Sequence, residues 1–205
     1  MTAGILVTIP TERGDVAAVY HPVPGAHAAV LMVGGTDGGF DGPADRIYPT
    51  LAADLTARGI AALRVDFRLH QAPGNVEEGT YDVLAGVRFL EDSGVRRVAL
   101  VGHSFGGAVV VRAGVRSDLV VAVVTLATQS YGVEDAPRLA PAALLIVHGL
   151  NDQRLPPDSS RYLYELAREP KGLVLLEGAK HSLRQRREEL RELVVEWLCG
   201  RLGAL

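Results

Sequence analysis

Short apolar runs alternate along the chain with segments in which apolar residues recur at helical spacing. Continuous apolar runs are typical of strands buried on both faces, and apolar residues every three or four positions are typical of a helix with one buried side. The pattern predicts strands at 5–9, 16–20, 29–33, 60–65, 97–101, 119–126, 143–147 and 173–176. It predicts helices at 46–58, 81–90, 105–115, 158–168 and about 185–202.

Strands that alternate with helices favour an α/β fold, a mostly parallel sheet covered by helices on both faces. The first two strands differ, because only a short turn through Arg13-Gly14-Asp15 separates them. Such spacing predicts a hairpin, so the sheet should begin antiparallel. With no repeat or linker in the sequence, we expect one domain over residues 1–205.

Composition narrows the function classes. A net charge of −3 gives no electrostatic reason to expect nucleic acid or a membrane as partner. The single cysteine, Cys199, excludes an internal disulfide framework, and the most apolar stretch, 119–127, is too short to span a membrane. The run at 5–9 is too short for a signal-peptide core, so we expect a cytoplasmic protein. The histidines lack metal-ligand spacing such as H-E-x-x-H, so we expect neither metal nor cofactor.

The residues Gly102-His103-Ser104-Phe105-Gly106 match the pattern G-x-S-x-G, between a predicted strand and a predicted helix. In that context the pattern is typical of a sharp turn that exposes a nucleophilic serine. The chain passes close to itself at such a turn, which is why glycine stands on either side. Ser104 is therefore the predicted nucleophile; the alternative is a glycine-rich turn with an incidental serine.

A nucleophilic serine needs a base, and the base needs a carboxylate that orients it. Asp152 follows the predicted strand at 143–147, and His181 follows the last predicted strand. The carboxyl ends of parallel strands meet at one edge of a sheet, so we expect these side chains to meet Ser104. Asp135 is the alternative acid, and His148 is expected to pack or hydrogen-bond near Asp152. The alternative for His181 is a solvated loop histidine.

Acyl transfer also requires two fixed N–H donors for the tetrahedral oxyanion. We expect one from the backbone of Phe105 and the other from Thr36, in the glycine-rich loop after the strand at 29–33. That loop lacks the lysine of a phosphate-binding loop, so nucleotide binding is not expected; a plain surface loop is the alternative. The expected substrate contacts are Gly35, Asp37, His103 and Tyr131.

Six segments carry a resemblance to a known family, in this order along the chain: VLMVGGTDGG, GIAALRVDFR, YDVLAGVRFL, VALVGHSFGG, LLIVHGLNDQRLPP and GAKHSL. They resemble the α/β-hydrolase superfamily, and its small dienelactone-hydrolase-like members in particular. The resemblance implies an eight-stranded sheet that is antiparallel only at its second strand. The chain departs from dienelactone hydrolases proper in having Ser104 where they use cysteine, and Gly34-Gly35 where the family often has His-Gly.

Many members of the superfamily insert a helical cap after the sixth strand, whereas this chain has only the short connection 128–141 there. We therefore expect an open site and a serine hydrolase that cleaves a carboxylic ester, thioester or lactone of a small acyl substrate. Two other functions stay open: acyl transfer, perhydrolysis or amide hydrolysis on the same triad, and a non-catalytic binding protein. A homodimer also stays open.

Overall fold

The sheet begins with a hairpin, as its sequence pattern predicts. In the computed structural model, which describes residues 4–203, β1 (Ile5–Ile9) pairs antiparallel with β2 (Val16–His21). The turn between them closes through an N–H to carbonyl hydrogen bond from Gly14 to Thr11, 3.2 Å long. Gly14 has a φ of 108°, a conformation that residues with a Cβ rarely adopt.

The other strands are β3 (Ala28–Val33), β4 (Ala61–Val65), β5 (Arg97–His103), β6 (Val120–Leu126), β7 (Ala143–Gly149) and β8 (Lys171–Leu176). The sheet has eight strands in the order β1-β2-β4-β3-β5-β6-β7-β8. Strand β2 runs antiparallel to both of its neighbours, β1 and β4. All the other adjacent strands are parallel. The predicted α/β-hydrolase sheet is thereby confirmed.

The helices are α1 (Pro43–Thr56), α2 (Val76–Asp92), α3 (Phe105–Val115), α4 (Asp158–Leu166) and α5 (Arg187–Leu202). Two apolar cores follow from their packing. Helices α2, α3 and α4 share one core with one face of the sheet, and α1 and α5 share the other. The sheet is thus covered on both faces, which explains why its central strands are apolar throughout.

Helix α2 begins a full turn before its predicted start at residue 81. Its first turn contains Glu77, Glu78 and Gly79, which hide the apolar periodicity. The carboxamide of Asn75 accepts the N–H groups of Glu77 and Glu78 at 3.0 and 3.2 Å, and this N-cap was the missed sequence signal.

The start of α1 is irregular. Ala44, Asp45 and Arg46 have positive φ values of 52°, 52° and 66°, so the regular right-handed helix begins only after them. The Ala44 N–H donates to the carbonyl of Ser182 at 2.8 Å, which ties this turn to the loop after β8.

Strands β6 and β7 are joined by residues 127–142, which contain only a short 3₁₀ turn at Ala136–Arg138. The described chain carries no cap domain over the carboxyl edge of the sheet. Within residues 4–203, no helix combines the length and the apolar character needed to cross a membrane.

Candidate active site

Ser104 lies at the sharp junction between β5 and α3. Its φ of 56° and ψ of −118° are strained for a residue with a side chain. A Cβ at Gly102 would lie 2.1 Å from the carbonyl oxygen of Gly106, and one at Gly106 would lie 2.2 Å from that of Gly34. Only glycine fits at both positions, so the glycines of the motif allow the turn that exposes the Ser104 hydroxyl.

Asp152 and His181 lie in the turns that follow β7 and β8. The two turns approach closely at Gly149, where a Cβ would lie 2.4 Å from the carbonyl oxygen of Ala179. The N–H of Asn151 donates to that same carbonyl at 2.9 Å. Backbone contact therefore holds the acid-bearing turn against the histidine-bearing turn.

The three predicted residues form one chain of hydrogen-bonding distances. Nδ1 of His181 is 2.7 Å from Oδ2 of Asp152, and Nε2 of His181 is 3.1 Å from Oγ of Ser104. The alternative acid, Asp135, instead forms ion pairs with Arg112 and Arg138, each at 3.3 Å. Among the predicted acids, Asp152 is the one that the fold joins to His181.

The environment of Asp152 keeps its carboxylate ionised. Burial acts to raise its pKa, but the N–H of Leu155, the His181 ring and the N–H of Arg154 outweigh burial and lower the pKa. Those two backbone N–H groups reach Oδ1 at 2.9 and 2.8 Å. An ionised carboxylate only accepts hydrogen bonds, so the proton of the neutral His181 ring lies on Nδ1. Nε2 is then free to accept the proton of the Ser104 hydroxyl.

The glycine-rich loop after β3, residues 34–39, lies against Ser104 and lines the same cavity as His181. A Cβ at Gly35 would come within 3.5 Å of the Ser104 Cβ. Phe105 is the first residue of α3, so its N–H has no acceptor within the helix. Thr36 lines the cavity beside Ser104. The assignment of the Phe105 and Thr36 N–H groups to an oxyanion hole stays a prediction.

A side chain that the sequence pattern did not single out holds this loop. Oδ1 of Asp66, which follows β4, accepts the N–H of Gly39 at 2.6 Å and lies 2.8 Å from Nε2 of His70. The phenol of Tyr48 donates to the carbonyl of Val33 at 2.7 Å, immediately before the loop. A carboxylate directly after a strand was the available signal, but its partner Gly39 is far away in sequence.

The site opens into a cavity of about 250 Å³. Of the predicted substrate contacts, Gly35, Asp37 and His103 line this cavity. Tyr131 does not line it and is 70% exposed, so its role in substrate binding stays a prediction. Arg154, which sequence reasoning missed, also lines the cavity. A larger cleft of about 740 Å³ lies between α1 and α5 and includes none of the predicted site residues.

His103 supports the loop that carries His181. Its Nε2 donates to the His181 carbonyl at 3.1 Å, and the centroids of the two rings are 4.9 Å apart. Burial, followed by the nearby His181 ring, lowers the pKa of His103 to about 4. The ring is therefore neutral near pH 7.

Comparison with known proteins identifies the family. The sequence model described as the alpha/beta hydrolase family matches residues 23–142, more than half of the chain. This chain belongs to the alpha/beta hydrolase family. The match ends before Asp152 and His181, so those two positions rest on the geometry above.

Several solved structures share the fold of this alpha/beta hydrolase. A dienelactone hydrolase from Anabaena variabilis has a TM-score of 0.84 and 18% identity, with 97% of each chain covered. The esterase domain of a Rhodothermus marinus protein has a TM-score of 0.79 and 24% identity, covering 98% of this chain and 100% of the other. Est1E from Butyrivibrio proteoclasticus has a TM-score of 0.80 and 17% identity, covering 98% and 100%.

A relative that is similar in sequence is the uncharacterized protein YfhR of Escherichia coli, 30% identical over 127 residues. The match covers 51% of this chain and 45% of YfhR, so the chain spans about half the length of the curated relative that it matches.

Proposed function

We propose that this alpha/beta hydrolase is a serine hydrolase that cleaves a carboxylic ester, thioester or lactone through an acyl-enzyme. The single observation that carries the proposal is the continuous path from the Ser104 hydroxyl through His181 to Asp152. A serine hydroxyl becomes an effective nucleophile when a neutral imidazole can take its proton, and a buried carboxylate stabilises the imidazolium that forms.

In the proposed reaction the Ser104 oxygen attacks the acyl carbon while Nε2 of His181 takes its proton. The tetrahedral oxyanion accepts the backbone N–H groups of Phe105 and Thr36. Collapse of this intermediate breaks the bond to the leaving group, which takes the proton from His181. Water, deprotonated by His181, then releases the acid and restores the Ser104 hydroxyl.

The shape of the site favours a small acyl group. The cavity of about 250 Å³ is small, and no cap covers it within residues 4–203. An uncovered site admits water to the acyl-enzyme, which favours hydrolysis over transfer to another acceptor. The cytoplasmic location stays a prediction from the sequence, and a homodimer stays open.

The test is hydrolysis of p-nitrophenyl esters of increasing acyl length, together with thioesters, lactones and aminoacyl amides, by wild type and Ser104→Ala. We expect the short acyl esters to be turned over by wild type alone. Ser117→Ala, which changes a serine in the turn between α3 and β6, is the matched control and should keep full activity. Turnover by Ser104→Ala equal to that of wild type would overturn the proposal, as would a folded wild type inactive on every substrate.

A further inference from the structure

A second buried imidazole lies behind the Ser104–His181–Asp152 chain. His148, the penultimate residue of β7, is fully buried at 0% exposure. Its Nε2 is 3.1 Å from Oδ2 of Asp152 and 3.0 Å from the carbonyl oxygen of Leu155. Its Nδ1 is 2.6 Å from Oγ of Ser160, near the start of α4. Every polar atom of the ring therefore has a partner.

These partners decide where the proton of His148 lies. The Asp152 carboxylate and the Leu155 carbonyl are both acceptors, so Nε2 carries a proton and donates. The Ser160 hydroxyl can donate to the lone pair of Nδ1. Burial lowers the pKa of His148 and outweighs the opposite effects of Leu155 and Asp152, which favours the neutral ring. His148 is thus a fixed N–H donor rather than a second base.

Both histidines reach the same oxygen of Asp152. Oδ2 lies 2.7 Å from Nδ1 of His181 and 3.1 Å from Nε2 of His148, while Oδ1 is occupied by the two backbone N–H groups. We propose that His148 is a positioning residue of the proposed reaction, which orients Oδ2 towards His181 and limits how strongly that oxygen holds the protonated His181 ring. This inference rests on the proposed hydrolase function.

His148 and His181 compete for one acceptor, Oδ2 of Asp152. An oxygen that already accepts one hydrogen bond is a weaker acceptor for the next, because the first donor neutralises part of its charge. Without His148, Asp152 would stabilise the imidazolium form of His181 more strongly. His181 would then stay protonated, and so unable to act as a base, up to a higher pH.

The expected readouts are a lower kcat and a shifted pH profile. We expect His148→Leu to lower kcat about tenfold at little change in KM, because the acid loses its orientation but the cavity is untouched. We expect the acid limb of kcat/KM to move up by about half a pH unit. His103 of β5 packs against the His181 ring, Lys180 precedes it in the chain, and Arg154 and Asp37 line the same cavity. None of them changes in this variant.

The experiment compares His148→Leu with His148→Gln, whose side-chain amide can place an N–H near the position of Nε2. Both are measured with a p-nitrophenyl ester over roughly pH 5 to 9, with thermal unfolding as the check on folding. We expect Gln to restore most of kcat and to return the acid limb towards wild type. Ser117→Ala, which changes a serine in the turn between α3 and β6, is the matched control and should keep the wild-type profile.

A folded His148→Leu with wild-type kcat and pH profile would overturn the inference. A loss of kcat without movement of the acid limb, and without rescue by Gln, would assign His148 a structural role only and overturn it as well. If Leu does not fold, His148→Asn replaces it, because its shorter amide does not reach Oδ2. The proposed function fails separately, through an inactive wild type.

Discussion

The two sides of Ser104 are built in different ways. On the side of the base, the side chains of Asp152 and His148 are fully buried and His181 is 15% exposed, and side-chain hydrogen bonds join them. In the loop after β3, Thr36 is half-buried and Asp37 is exposed, and the proposed chemistry of that loop lies in its backbone. Two hydrogen bonds, from Gly39 to Asp66 and from Gly38 to the carbonyl of Gly35, hold that loop.

The difference matches the tasks proposed for the two sides. Proton transfer requires one tautomer of one ring, which a buried and fully satisfied network can fix. Stabilisation of an oxyanion requires only N–H groups held in place, which glycine-rich backbone supplies. We therefore expect loss of the Asp152 carboxylate to affect the rate more than substitutions around the loop.

The largest effect is expected from Asp152→Asn. All four partners of the Asp152 carboxylate donate hydrogen bonds, so a carboxamide places its NH₂ group against donors. If the carboxamide oxygen keeps the hydrogen bonds from the N–H groups of Arg154 and Leu155, the NH₂ group faces Nδ1 of His181. The His181 tautomer with its proton on Nε2 is then favoured. We expect kcat to fall by about 10⁴-fold in steady-state ester hydrolysis.

Asp135→Asn is the matched control for that substitution, because Asp135 was the alternative acid and pairs with Arg112 and Arg138. We expect it to keep near wild-type kcat. Equal losses in the two variants would show that a general change of charge, rather than the bond to His181, controls the rate.

The next largest effect is expected from Gly106→Ala, where the nucleophile turn touches the loop after β3. The new Cβ would lie 2.2 Å from the carbonyl oxygen of Gly34, so the loop has to move away from Ser104. A displacement of this kind should lower kcat about 100-fold. Gly200→Ala is the control, because a Cβ there meets nothing within 4 Å; a loss of the same size in Gly200→Ala would contradict the explanation.

A smaller effect is expected from Asp66→Ala, which removes the acceptor of the Gly39 N–H. The loop keeps its other contacts, so we expect kcat to fall only about tenfold in the same assay. His70→Ala removes the other partner of Asp66 but leaves the bond to Gly39, and should be nearly silent. A loss of kcat in Asp66→Ala larger than the loss in Asp152→Asn would reverse the proposed ranking of the two sides.

The smallest effect concerns stability, at His103, whose ring lies between the two sides. Its folded-state pKa of about 4 is below its ordinary value of 6.5, so protonation favours the unfolded chain as the pH falls through this window. The contribution is fully present above pH 6.5 and is lost towards pH 4. As the pH falls from about 7 to about 5.5, this effect should lower the free energy of unfolding by on the order of 1 kcal/mol. Urea unfolding of His103→Gln should show a pH dependence weaker by that amount; an unchanged dependence would contradict it.

The sequence predicted most of the fold because periodicity and glycine positions are local signals. The strands and helices follow from apolar spacing, and the turn at Ser104 follows from Gly102 and Gly106. The sequence pattern places Ser104, Asp152 and His181 after the fifth, seventh and eighth strands, whose carboxyl ends lie at one edge of a parallel sheet. In the structure the His181 ring lies at hydrogen-bonding distance from both Asp152 and Ser104.

The missed features depend on contacts between segments that are far apart in sequence. Nothing near Asp66 indicates that it holds Gly39, and nothing near Arg154 indicates that it lines the cavity. The left-handed turn at Ala44 depends on the carbonyl of Ser182, well over a hundred residues later. Propensity describes neighbours along the chain, so tertiary contacts of this kind lie beyond it.

The central claim is that the Ser104 oxygen forms the covalent acyl-enzyme. Intact-protein and peptide mass spectrometry after treatment with a fluorophosphonate tests it most directly. We expect one adduct, located on Ser104, formed more slowly in Asp152→Asn and absent in Ser104→Ala. An adduct on another residue, or a folded and hydrolytically active wild type that forms none, would contradict it.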